Sequence, residues 1–573
     1  MPMHNHEIAA VLNRTAELLE IEGSNPFRVR AYQNAARIVE SEGRSIAEMV
    51  DEGEDLTRFP GIGEDLAGKI REIVGTGTLS LLQSLQEELP EGLPALMGIG
   101  GLGPKRIRRI YDELKVSTPE GLKEAAERGE LQKIPGFGRK IEEKVLEDLS
   151  RRVTKERRVR YVDADEIASS LVLYLKKLAS VREVVVAGSF RRRKDSVGDL
   201  DILVTASDAE EVMERFVSYE DVGEVVLHGP TKSTVLLRSG LQVDLRAVPE
   251  SSYGAALHYF TGSKSHGIAV RRLGQERGLK INEYGVFRDS ERVAGRTEEE
   301  VFASVGLPYI EPELREDRGE IEAGLKGELP QLVSMGDILG DLHAHTDATD
   351  GRSTLSEMVQ AAVNRGYRYL AITNHSPHVT VARGLKSDAL LRELDEIDRV
   401  QELFPGITIL KASEVDILED GSLDYPAGVL ARLDFTVCSI HSKFRIPEEK
   451  QTERVIRAMD NPGFTIFGHP TGRLIGKRAP YEINLERVME AALQRGCFLE
   501  VNSHPERLDL DDIFCRQAKD MGLRLAISTD AHSAADLDYM SLGINQARRG
   551  WLEKGDVINT LPVGELKGIM KRR

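Results

Sequence analysis

The spacing of apolar residues changes character twice along the 573-residue chain. From residue 1 to 150, apolar positions recur every three to four residues, which predicts amphipathic helices. From 160 to 310, helical stretches mix with short β-branched runs, which predicts an α+β region. Beyond 337, apolar runs that end in polar clusters alternate with helices, which predicts a parallel α/β barrel with site residues on the loops after its strands.

Three turns in the helical region share a Gly-hydrophobic-Gly pattern, and each precedes an amphipathic run. Such a turn directs the N–H groups of the following helix at an anion. A single turn of this kind is more often an ordinary helix connection, but three of them, two followed by cations, favour helix-hairpin-helix contacts with the DNA backbone. The candidate DNA-binding residues are Gly61, Gly63, Gly101, Gly103, Lys105, Gly136 and Gly138.

The run from Gly188 to Val204 carries a candidate catalytic pair. Asp199 and Asp201 are two residues apart in an apolar strand, so both side chains project from one face, roughly 6.5 to 7 Å apart. Asp244 lies in a later alternating strand and could complete a triad, although alone it could equally be a strand-edge carboxylate. Three carboxylates suit two Mg²⁺ ions, and the Gly-Ser turn that precedes them can place N–H groups against a phosphate. The run therefore predicts phosphoryl or nucleotidyl transfer.

Nine metal-type residues follow successive strands of the C-terminal region. A lone histidine at a strand end is more often a capping or buried polar residue, but nine such residues at one barrel mouth predict a site for two or three ions. Mixed imidazole and carboxylate ligands suit Zn²⁺, Mn²⁺ or Fe, and Glu414 and Asp530 are the expected bridging carboxylates. The expected ligands are His343, His345, Asp350, His375, Glu414, His441, His469, Asp530 and His532.

Composition adds few constraints to this picture. The net charge of −17 counts against a uniformly basic surface, but basic runs at 104–109, 151–160 and 191–194 can hold DNA locally. No apolar run approaches 18 residues and no signal peptide is evident, so we expect a cytoplasmic, nucleoid-associated protein without membrane contact. The three cysteines have no CxxC spacing, which indicates neither a disulfide framework nor a zinc finger.

Several motifs resemble those of one family over essentially the whole chain: GSFRR with GDLDILV, then VDLRAVP, YFTGS at 259–263 and GLKINEYGVF at 278–287. They are similar to the motifs of bacterial and archaeal family X DNA polymerases, in which a DNA polymerase beta-like core is fused to a C-terminal PHP domain. The resemblance implies an all-α helix-hairpin-helix region, an α+β nucleotidyltransferase palm and thumb, and a distorted TIM-like PHP barrel. The implied domains are lyase-like helices at 1–80, a helix-hairpin-helix region at 81–155, a palm at 156–248, a thumb at 249–312, a linker at 313–337 and the PHP domain at 338–573.

The resemblance also implies roles in polymerisation. Asp199 and Asp201 would ligate both Mg²⁺ ions, and Asp244 would ligate the ion that activates the primer 3′ hydroxyl. Arg271 matches a template contact, and Lys69 matches the Schiff-base lysine of the lyase that removes 5′-deoxyribose phosphate. The implied nucleotide-binding residues are Gly188, Ser189, Arg192, Gly198, Tyr259, Phe260 and Gly262.

In the PHP half the resemblance implies a 3′–5′ exonuclease dependent on Mn²⁺ or Zn²⁺, with abasic-site endonuclease and 3′-end cleaning as further activities. The implied ligand sets are His343, His345, Glu414 and Asp530 for one ion, Glu414, His441 and His469 for a second, and Asp350, His375 and His532 for a third.

Seven positions depart from the family pattern. In the lyase pocket, Asp65, Phe27 and Arg28 replace a lysine, a histidine and another lysine. Elsewhere, Gly267 replaces an asparagine that contacts the incoming base, Gln242 an arginine before the third aspartate, Asn374 an aspartate, and His504 a small or amide residue.

The sequence thus favours a monomeric repair enzyme that fills short gaps in primed or gapped duplex DNA from dNTPs, as in base excision repair, and trims 3′ ends. Three alternatives stay open. The PHP domain could be a catalytically silent scaffold, the chain could act on small phosphorylated molecules, or it could be a non-catalytic module that binds DNA ends.

Overall fold

The computed structural model describes residues 3, 5–42, 44–90, 92–97, 99, 102–155 and 158–571. The chain divides into two compact units, Met1–Arg157 and Arg158–Arg573, and each is described by itself. No helix in the described ranges is both long and apolar enough to cross a membrane.

The first unit is helical throughout its described residues, as the apolar spacing predicts. Buried faces of the first two helices pack together, with Leu12 and Leu19 against Tyr32 and Val39 in one core. Asn25 begins the second helix, because its side chain accepts a hydrogen bond from the N–H of Phe27. The helices are α1 (Asn5–Glu22), α2 (Pro26–Ser41), α3 (Ile46–Asp51), α4 (Glu64–Thr76), α5 (Ser80–Glu88), α6 (Pro104–Leu114), α7 (Pro119–Glu127) and α8 (Arg139–Lys155).

The central sheet of the second unit is built from residues 181–247 and has the strand order β2-β4-β7-β6-β5. Apolar side chains of β4 and β7, among them Leu200, Val243 and Leu245, form its buried face with α9 and α11. The elements are β1 (Val159–Arg160), α9 (Tyr161–Leu175), β2 (Val181–Val186), α10 (Gly188–Arg191), β3 (Ser196–Val197), β4 (Asp199–Ala206), α11 (Ala209–Val217), β5 (Val222–His228), β6 (Lys232–Leu237) and β7 (Gln242–Ala247).

A smaller α+β segment follows and extends further than the sequence predicts. Leu314 and Ile321 belong to the same core as Val301 and Phe302, and Arg315 between them is fully buried. The expected linker at 313–337 therefore begins as an ordered part of this domain. Its elements are α12 (Tyr253–Thr261), α13 (Lys264–Glu276), β8 (Lys280–Asn282), β9 (Gly285–Arg288), β10 (Glu291–Ala294), α14 (Glu298–Ser304) and α15 (Glu320–Lys326).

The C-terminal domain alternates parallel strands with helices. Its strands pair in chain order as β11-β12-β13 and β14-β15-β16-β17-β18. Parallel bridges from His375 to Glu414 and from Ala344 to Ala531 join the two sheets and bring the last strand beside the first, as in the predicted α/β barrel. The elements are β11 (Gly340–Asp341), α16 (Leu355–Asn364), β12 (Tyr369–Ile372), α17 (Ser387–Leu403), β13 (Thr408–Lys411), β14 (Glu414–Asp416), α18 (Ala427–Leu430), β15 (Val437–Ser439), α19 (Glu448–Met459), β16 (Ile466–Phe467), α20 (Leu485–Arg495), β17 (Phe498–Asn502), α21 (Asp512–Asp520), β18 (Leu525–Ser528), α22 (Met540–Arg549) and α23 (Val563–Met570).

The C-terminal domain packs directly on the central sheet domain. Leu508 and Leu542 are buried in the same apolar cluster as Leu171 and Val197. Ion pairs surround this contact, including Arg160 with Glu506 at 3.4 Å. The central sheet domain and the C-terminal domain are therefore parts of one packed body.

Glu320, at the start of α15, is a fully buried carboxylate whose ionisation makes the stability of the fold depend on pH. It accepts hydrogen bonds from the N–H groups of Asp317 and Arg318, and its Oε1 lies 2.8 Å from His266 Nδ1. Burial raises the pKa of Glu320 from its ordinary value of 4.5 to about 7. The folded chain therefore holds a proton between these values that the unfolded chain releases, so this contribution to stability is lost as pH rises towards 7.

We expect Glu320→Gln to remove this pH dependence, because glutamine cannot ionise. The difference in Tm between wild type and variant should shift in favour of the variant between pH 5 and pH 8, as measured by thermal unfolding. Glu322→Gln, on the exposed face of the same helix, is the matched control and should show no such shift. A difference that stays constant across this pH range would contradict the expectation.

Candidate functional site

The register of two parallel strands positions the predicted carboxylates of the central sheet. Residues of β4 and β7 pair in sequence, so that Asp201 lies opposite Asp244 and Asp199 lies opposite Gln242. Asp199 is exposed at the start of its strand, whereas Asp201 and Asp244 are half-buried. The three side chains thus belong to two adjacent strands at one end of the sheet.

The Asp201 carboxylate lies in an unfavourable environment for a negative charge. Burial, together with the neighbouring Asp199 and Asp244 carboxylates, raises its pKa to about 7, against the opposing effect of Arg246 and Arg192. Divalent cations would relieve this crowding, so the residues present fit a carboxylate metal site. The backbone of Gly188 lies against this site, and a Cβ at this position would lie only 2.7 Å from Asp201 Oδ2.

Arg192, expected to bind a triphosphate, is held by two partners in this structure. Its Nε lies 3.0 Å from Glu316 Oε1, and its guanidinium donates to the carbonyl of Thr261 at 2.5 Å. Glu316 also pairs with Arg549 of α22 at 3.0 Å. Burial opposes its ionisation, but Arg549, Arg192 and Lys194 hold the pKa of Glu316 at about 2, so the pairs are fully charged.

The other expected nucleotide and template residues line the same region of the second unit. Tyr259 is 43% exposed, and Arg271 lies over its ring at 5.9 Å from the centroid. Arg246 lies over the ring of Phe260 at 4.5 Å. Gly262 has a positive φ of 69°, and a Cβ there would lie 3.1 Å from the Arg192 guanidinium. Ser189 lies on α10 beside Gly188, and Gly198 lies directly before β4.

The C-terminal domain brings all nine predicted ligands to one end of its strands. Glu414, the first residue of β14, is fully buried and lies at the centre of the set. Its carboxylate oxygens are between 2.9 and 3.6 Å from ring nitrogens of five histidines, namely His343, His345, His375, His441 and His469. The cavity beside these side chains has a volume of about 210 Å³.

Ligand atoms in this cavity fall into three tight groups. Among the described residues, every group of three or more ligand atoms within 4.8 Å of one another lies here, and none lies at the sheet carboxylates. His469 belongs to no such group, although its Nε2 is 2.9 Å from Glu414 Oε1. The groups are His343, His345 and Asp530; His375, Glu414 and His441; and His345, Asp350, His375 and His532.

Hydrogen bonding indicates that the cavity fits cations. Several buried ligand atoms form no hydrogen bond with other described residues, among them Glu414 Oε2, His343 Nε2 and both ring nitrogens of His345. Buried polar atoms without partners are rare in folded proteins unless a ligand satisfies them. Burial lowers the pKa of His345 to about 3, which keeps its ring in the neutral form that binds metals.

The carboxylates of the cavity stay charged despite their burial. Burial opposes ionisation of Glu414, but His375 and His441 hold its pKa well below the ordinary range. The pKa of His375 is lowered by burial and raised more strongly by Glu414 and Asp350, to about 10. Acidic and basic groups therefore balance one another where divalent ions would otherwise supply the positive charge.

Two buried carboxylates that the sequence analysis missed orient the ligand rings. Glu500 of β17 accepts from His343 Nδ1 at 2.7 Å and from the N–H of His469 at 2.7 Å. Asp416 of β14 lies 3.0 Å from His441 Nδ1 and accepts from the N–H of the same residue. The available signal was an acidic residue inside an otherwise apolar strand, in FLEVN and in EVDI.

The positions that depart from the family pattern make other contacts. Asn374 accepts a hydrogen bond from the N–H of Thr346 and donates one to the Thr346 hydroxyl, so its amide is engaged by Thr346. His504 packs edge-on against Tyr539 at 5.5 Å between ring centroids, and it does not line the cavity. Gln242 Nε2 lies 3.4 Å from Asp244 Oδ1, so it directly contacts a predicted metal ligand.

In the first unit, the three glycine turns have one geometry. The middle residues Ile62, Leu102 and Phe137 are buried, and each N–H bonds the carbonyl three residues earlier. The glycine after each middle residue, Gly63, Gly103 or Gly138, directly precedes a helix, and Lys105 lies in the first turn of α6. The opening glycines Gly61 and Gly136 have positive φ angles, whereas Gly101 lies outside the described residues.

Lys69 also lies in the first unit, on α4. Its Nζ forms an ion pair with Asp65, one turn earlier on the same helix. The side chain of Lys69 is 20% exposed. The candidate lyase nucleophile therefore contacts a carboxylate at the position where the family pattern has a lysine.

Comparison with protein families identifies five segments of the chain. The models that match are a helix-hairpin-helix domain at residues 3–79, a SAM-like helix-hairpin-helix tandem at 93–151, the DNA polymerase beta palm at 158–258, the DNA polymerase beta thumb at 256–316 and the PHP domain at 341–504. Asp530 and His532 lie beyond the PHP match, yet the structure places them in the ligand cavity.

Individual relatives cover the chain to different extents. It is 39% identical over the full length of both chains to DNA polymerase/3′-5′ exonuclease PolX of Bacillus subtilis (strain 168). A probable phosphatase of Thermoanaerobacter sp. (strain X514) is 30% identical, and the match covers 41% of this chain and 94% of the relative. DNA polymerase lambda of Rattus norvegicus is 26% identical, over 55% of this chain and 56% of the relative.

The role of Glu500 can be tested by metal binding. Replacing it with glutamine should weaken Mn²⁺ or Zn²⁺ binding by about 10- to 100-fold, because the His343 ring loses a charged acceptor. The measurement is competition with a chelator in an Asp201→Ala background, which limits binding at the sheet carboxylates.

Glu490→Gln, on the exposed face of α20, is the matched control and should leave affinity unchanged. Unchanged affinity in Glu500→Gln, with an unfolding transition like that of the control, would show that Glu500 does not orient a metal ligand.

Proposed function

The chain belongs to the family X DNA polymerases in which a polymerase beta-like core is followed by a PHP domain, and we propose that it both extends and trims 3′ ends during DNA repair. The observation that carries this proposal is the β4–β7 register, in which Asp201 lies beside Asp244, in the same chain as three groups of metal-type ligand atoms from eight residues. As a polymerase it takes dNTPs, and as a 3′–5′ exonuclease it hydrolyses phosphodiesters. Short-gap filling is the role that fits both activities.

For extension, Asp199, Asp201 and Asp244 would hold two Mg²⁺ ions. When bound, these ions supply positive charge to the attacking and leaving oxygens of an in-line displacement. The strand pairing fixes the two half-buried carboxylates before substrate arrives. Gln242, which lies 3.4 Å from Asp244, would orient that carboxylate.

The incoming nucleotide would lie between the turn at Gly188 and the segment from Tyr259 to Gly262. Ser189, Arg192 and Gly198 would contact its phosphates, and Tyr259 and Phe260 its sugar. Arg271, which lies over the Tyr259 ring, is placed to contact the template strand. Because Arg192 is paired with Glu316, triphosphate binding would exchange one anionic partner of this guanidinium for another.

For trimming, the nine PHP ligands would hold two or three Mn²⁺ or Zn²⁺ ions. When bound, these ions activate water at neutral pH and polarise the phosphodiester. Glu500 and Asp416 fix the rings of His343 and His441, so the cavity keeps its shape. Abasic-site cleavage and removal of 3′ blocking groups would use the same hydrolysis on other DNA ends.

The helix-hairpin-helix turns would hold the DNA backbone. In each turn a buried apolar residue anchors the loop and the following helix begins at a glycine, so the first N–H groups of the helix can face a phosphate. Such contacts carry no base preference, which suits an enzyme that acts at gaps of any sequence. The residues proposed to hold both sets of metal ions belong to one chain, which supports action as a monomer.

Lyase activity is not part of this proposal. A lysine must be neutral to attack the sugar carbonyl, and the ion pair between Lys69 and Asp65 engages the ammonium form. The partial likeness to a probable phosphatase keeps one second candidate, hydrolysis of small phosphate esters by the C-terminal domain.

Separation-of-function variants test the main proposal. A 5′-labelled primer on one-nucleotide-gapped duplex DNA should lengthen with dNTPs and Mg²⁺, and shorten with Mn²⁺ when dNTPs are absent. Asp201→Ala should reduce lengthening by roughly 100-fold or more and leave shortening intact, and His345→Ala should do the opposite.

Glu211→Ala, at an exposed site on α11, is the control and should retain both activities. Shortening that survives in His345→Ala would show that the PHP domain is a scaffold and that the nuclease lies elsewhere.

A further inference from the structure

Arg507 lies in the ligand cavity but beyond the PHP match, and it is none of the predicted ligands. We propose that Arg507 binds the phosphate of the scissile phosphodiester and that Val381 packs against the nucleobase of the same nucleotide. The PHP site would then select a nucleotide at a chain end over a bare phosphate ester. This inference rests on the proposed nuclease function and names the part of the substrate that the site recognises.

The position of Arg507 supports a contact with an anion. It is the only arginine or lysine that lines the cavity among the described residues. Its side chain is 20% exposed, and its Nε lies 3.4 Å from Asp530 Oδ2. The guanidinium therefore lies at the edge of the ligand set with donors to spare, since arginine carries five N–H groups in a planar fork that suits phosphate oxygens.

The loop that carries Arg507 is fixed to the ligand set at several points. Asn502 donates to Asp530 Oδ2 at 3.1 Å and accepts from the N–H of His504 at 3.0 Å. The N–H of Arg507 bonds the carbonyl of His504, and the carbonyl of Arg507 accepts from Arg473 Nε at 2.8 Å. A side chain carried by a backbone fixed in this way needs less reorganisation when charge develops on the phosphate, which favours catalysis.

The size of the cavity indicates that only part of a nucleotide enters it. Its volume of about 210 Å³ is below the roughly 300 Å³ at which pockets begin to enclose a drug-sized ligand. The phosphate and its immediate surroundings fit such a space, and the base must remain at the mouth.

An apolar side chain lies at that mouth. Val381 lines the cavity and is 94% exposed, the largest exposed fraction among the large apolar residues described. Its short 3₁₀ turn, Thr380–Ala382, is tied to the ligand set because the N–H of Leu385 bonds the carbonyl of His375 at 2.8 Å. A base that stacks here would cover apolar surface that this part of the protein leaves in water.

The chemistry follows the family reaction. A water oxygen forms a new bond to phosphorus, and the bond from phosphorus to the 3′ oxygen of the penultimate nucleotide breaks. The proton of water is passed on through solvent to that oxygen, so the products are a nucleoside 5′-monophosphate and a shortened strand with a 3′ hydroxyl. In this step Arg507 would hold a non-bridging phosphate oxygen.

The phosphate contact of Arg507 and the base contact of Val381 can be tested separately with two small diesters that have the same leaving group. Thymidine 5′-(4-nitrophenyl) phosphate carries a base, and bis(4-nitrophenyl) phosphate does not. In full-length protein loaded with Mn²⁺, Arg507→Ala should lower kcat/KM for both esters by roughly 100-fold, mainly through kcat, with Arg507→Lys between it and wild type. Arg432→Ala, an exposed cation of the same domain, is the matched control.

Measuring Mn²⁺ affinity shows whether Arg507 contacts the substrate or instead holds Asp530 in position. Arg507→Ala should bind Mn²⁺ as wild type does in chelator competition, because Arg507 is not itself a ligand. Weakened Mn²⁺ binding that accounts for the lost activity would overturn the proposal and make Arg507 a positioning residue for Asp530. Wild-type kcat/KM in Arg507→Ala would overturn it as well.

Val381→Ser should lower kcat/KM for the thymidine ester by about 5-fold and leave the value for bis(4-nitrophenyl) phosphate unchanged. Val363→Ser, on the surface of α16, is the control and should change neither. Equal effects on both esters, or none on either, would overturn the base contact. If wild-type protein hydrolysed neither ester nor a DNA 3′ end, the proposed nuclease function itself would fail.

Discussion

Buried charge that must be balanced is the constraint on which the second unit depends. Glu414 has no exposed surface and is surrounded by histidine rings. The interface between the polymerase core and the PHP domain follows the same rule, since Arg549 pairs with both Glu316 and Asp512. Desolvating a charge is costly unless its partners are fixed, so each pair also fixes the elements that carry it. In one case those elements are strand ends of a barrel, and in the other they are α22, α21 and the end of the thumb.

The need to balance buried charge also applies to the two candidate sites. In the sheet site, carboxylates are brought together by strands whose pairing is already specified by apolar residues, whereas the PHP cavity brings carboxylates and histidines together. Asp201 illustrates the result, because its pKa is raised by burial and by its two neighbouring carboxylates. Burial of the apolar side chains of β4 and β7 thus stabilises a sheet that holds these carboxylates close together. The protein binds metal at positions that would be electrostatically unfavourable without it.

Much of this arrangement can be predicted from the sequence, because the signals are local. Each signal lies within a few residues of sequence. Examples are the Gly-hydrophobic-Gly turns, the i and i+2 spacing of Asp199 and Asp201, and the polar residues at successive strand ends. What the sequence could not supply depends on distant partners. The segment after residue 312 has the composition of a linker, but Arg315 is buried because Glu298, which lies on the preceding helix α14, neutralises it. Glu500 was missed for the same reason, since only the folded barrel shows that His343 lies 2.7 Å away.

The contact of Leu508, Leu542 and Arg549 with the polymerase core has an evolutionary consequence. The match to the Thermoanaerobacter phosphatase covers 94% of that relative but 41% of this chain, so the matched part is nearly the whole of another protein. Here, surface that would face solvent in a free-standing domain is buried against the core. Separating the two halves of this gene would expose two leucines and leave Glu316 without one of its cations. A separated PHP domain would therefore need new polar residues on this surface, and substitutions on either side of the contact affect both domains.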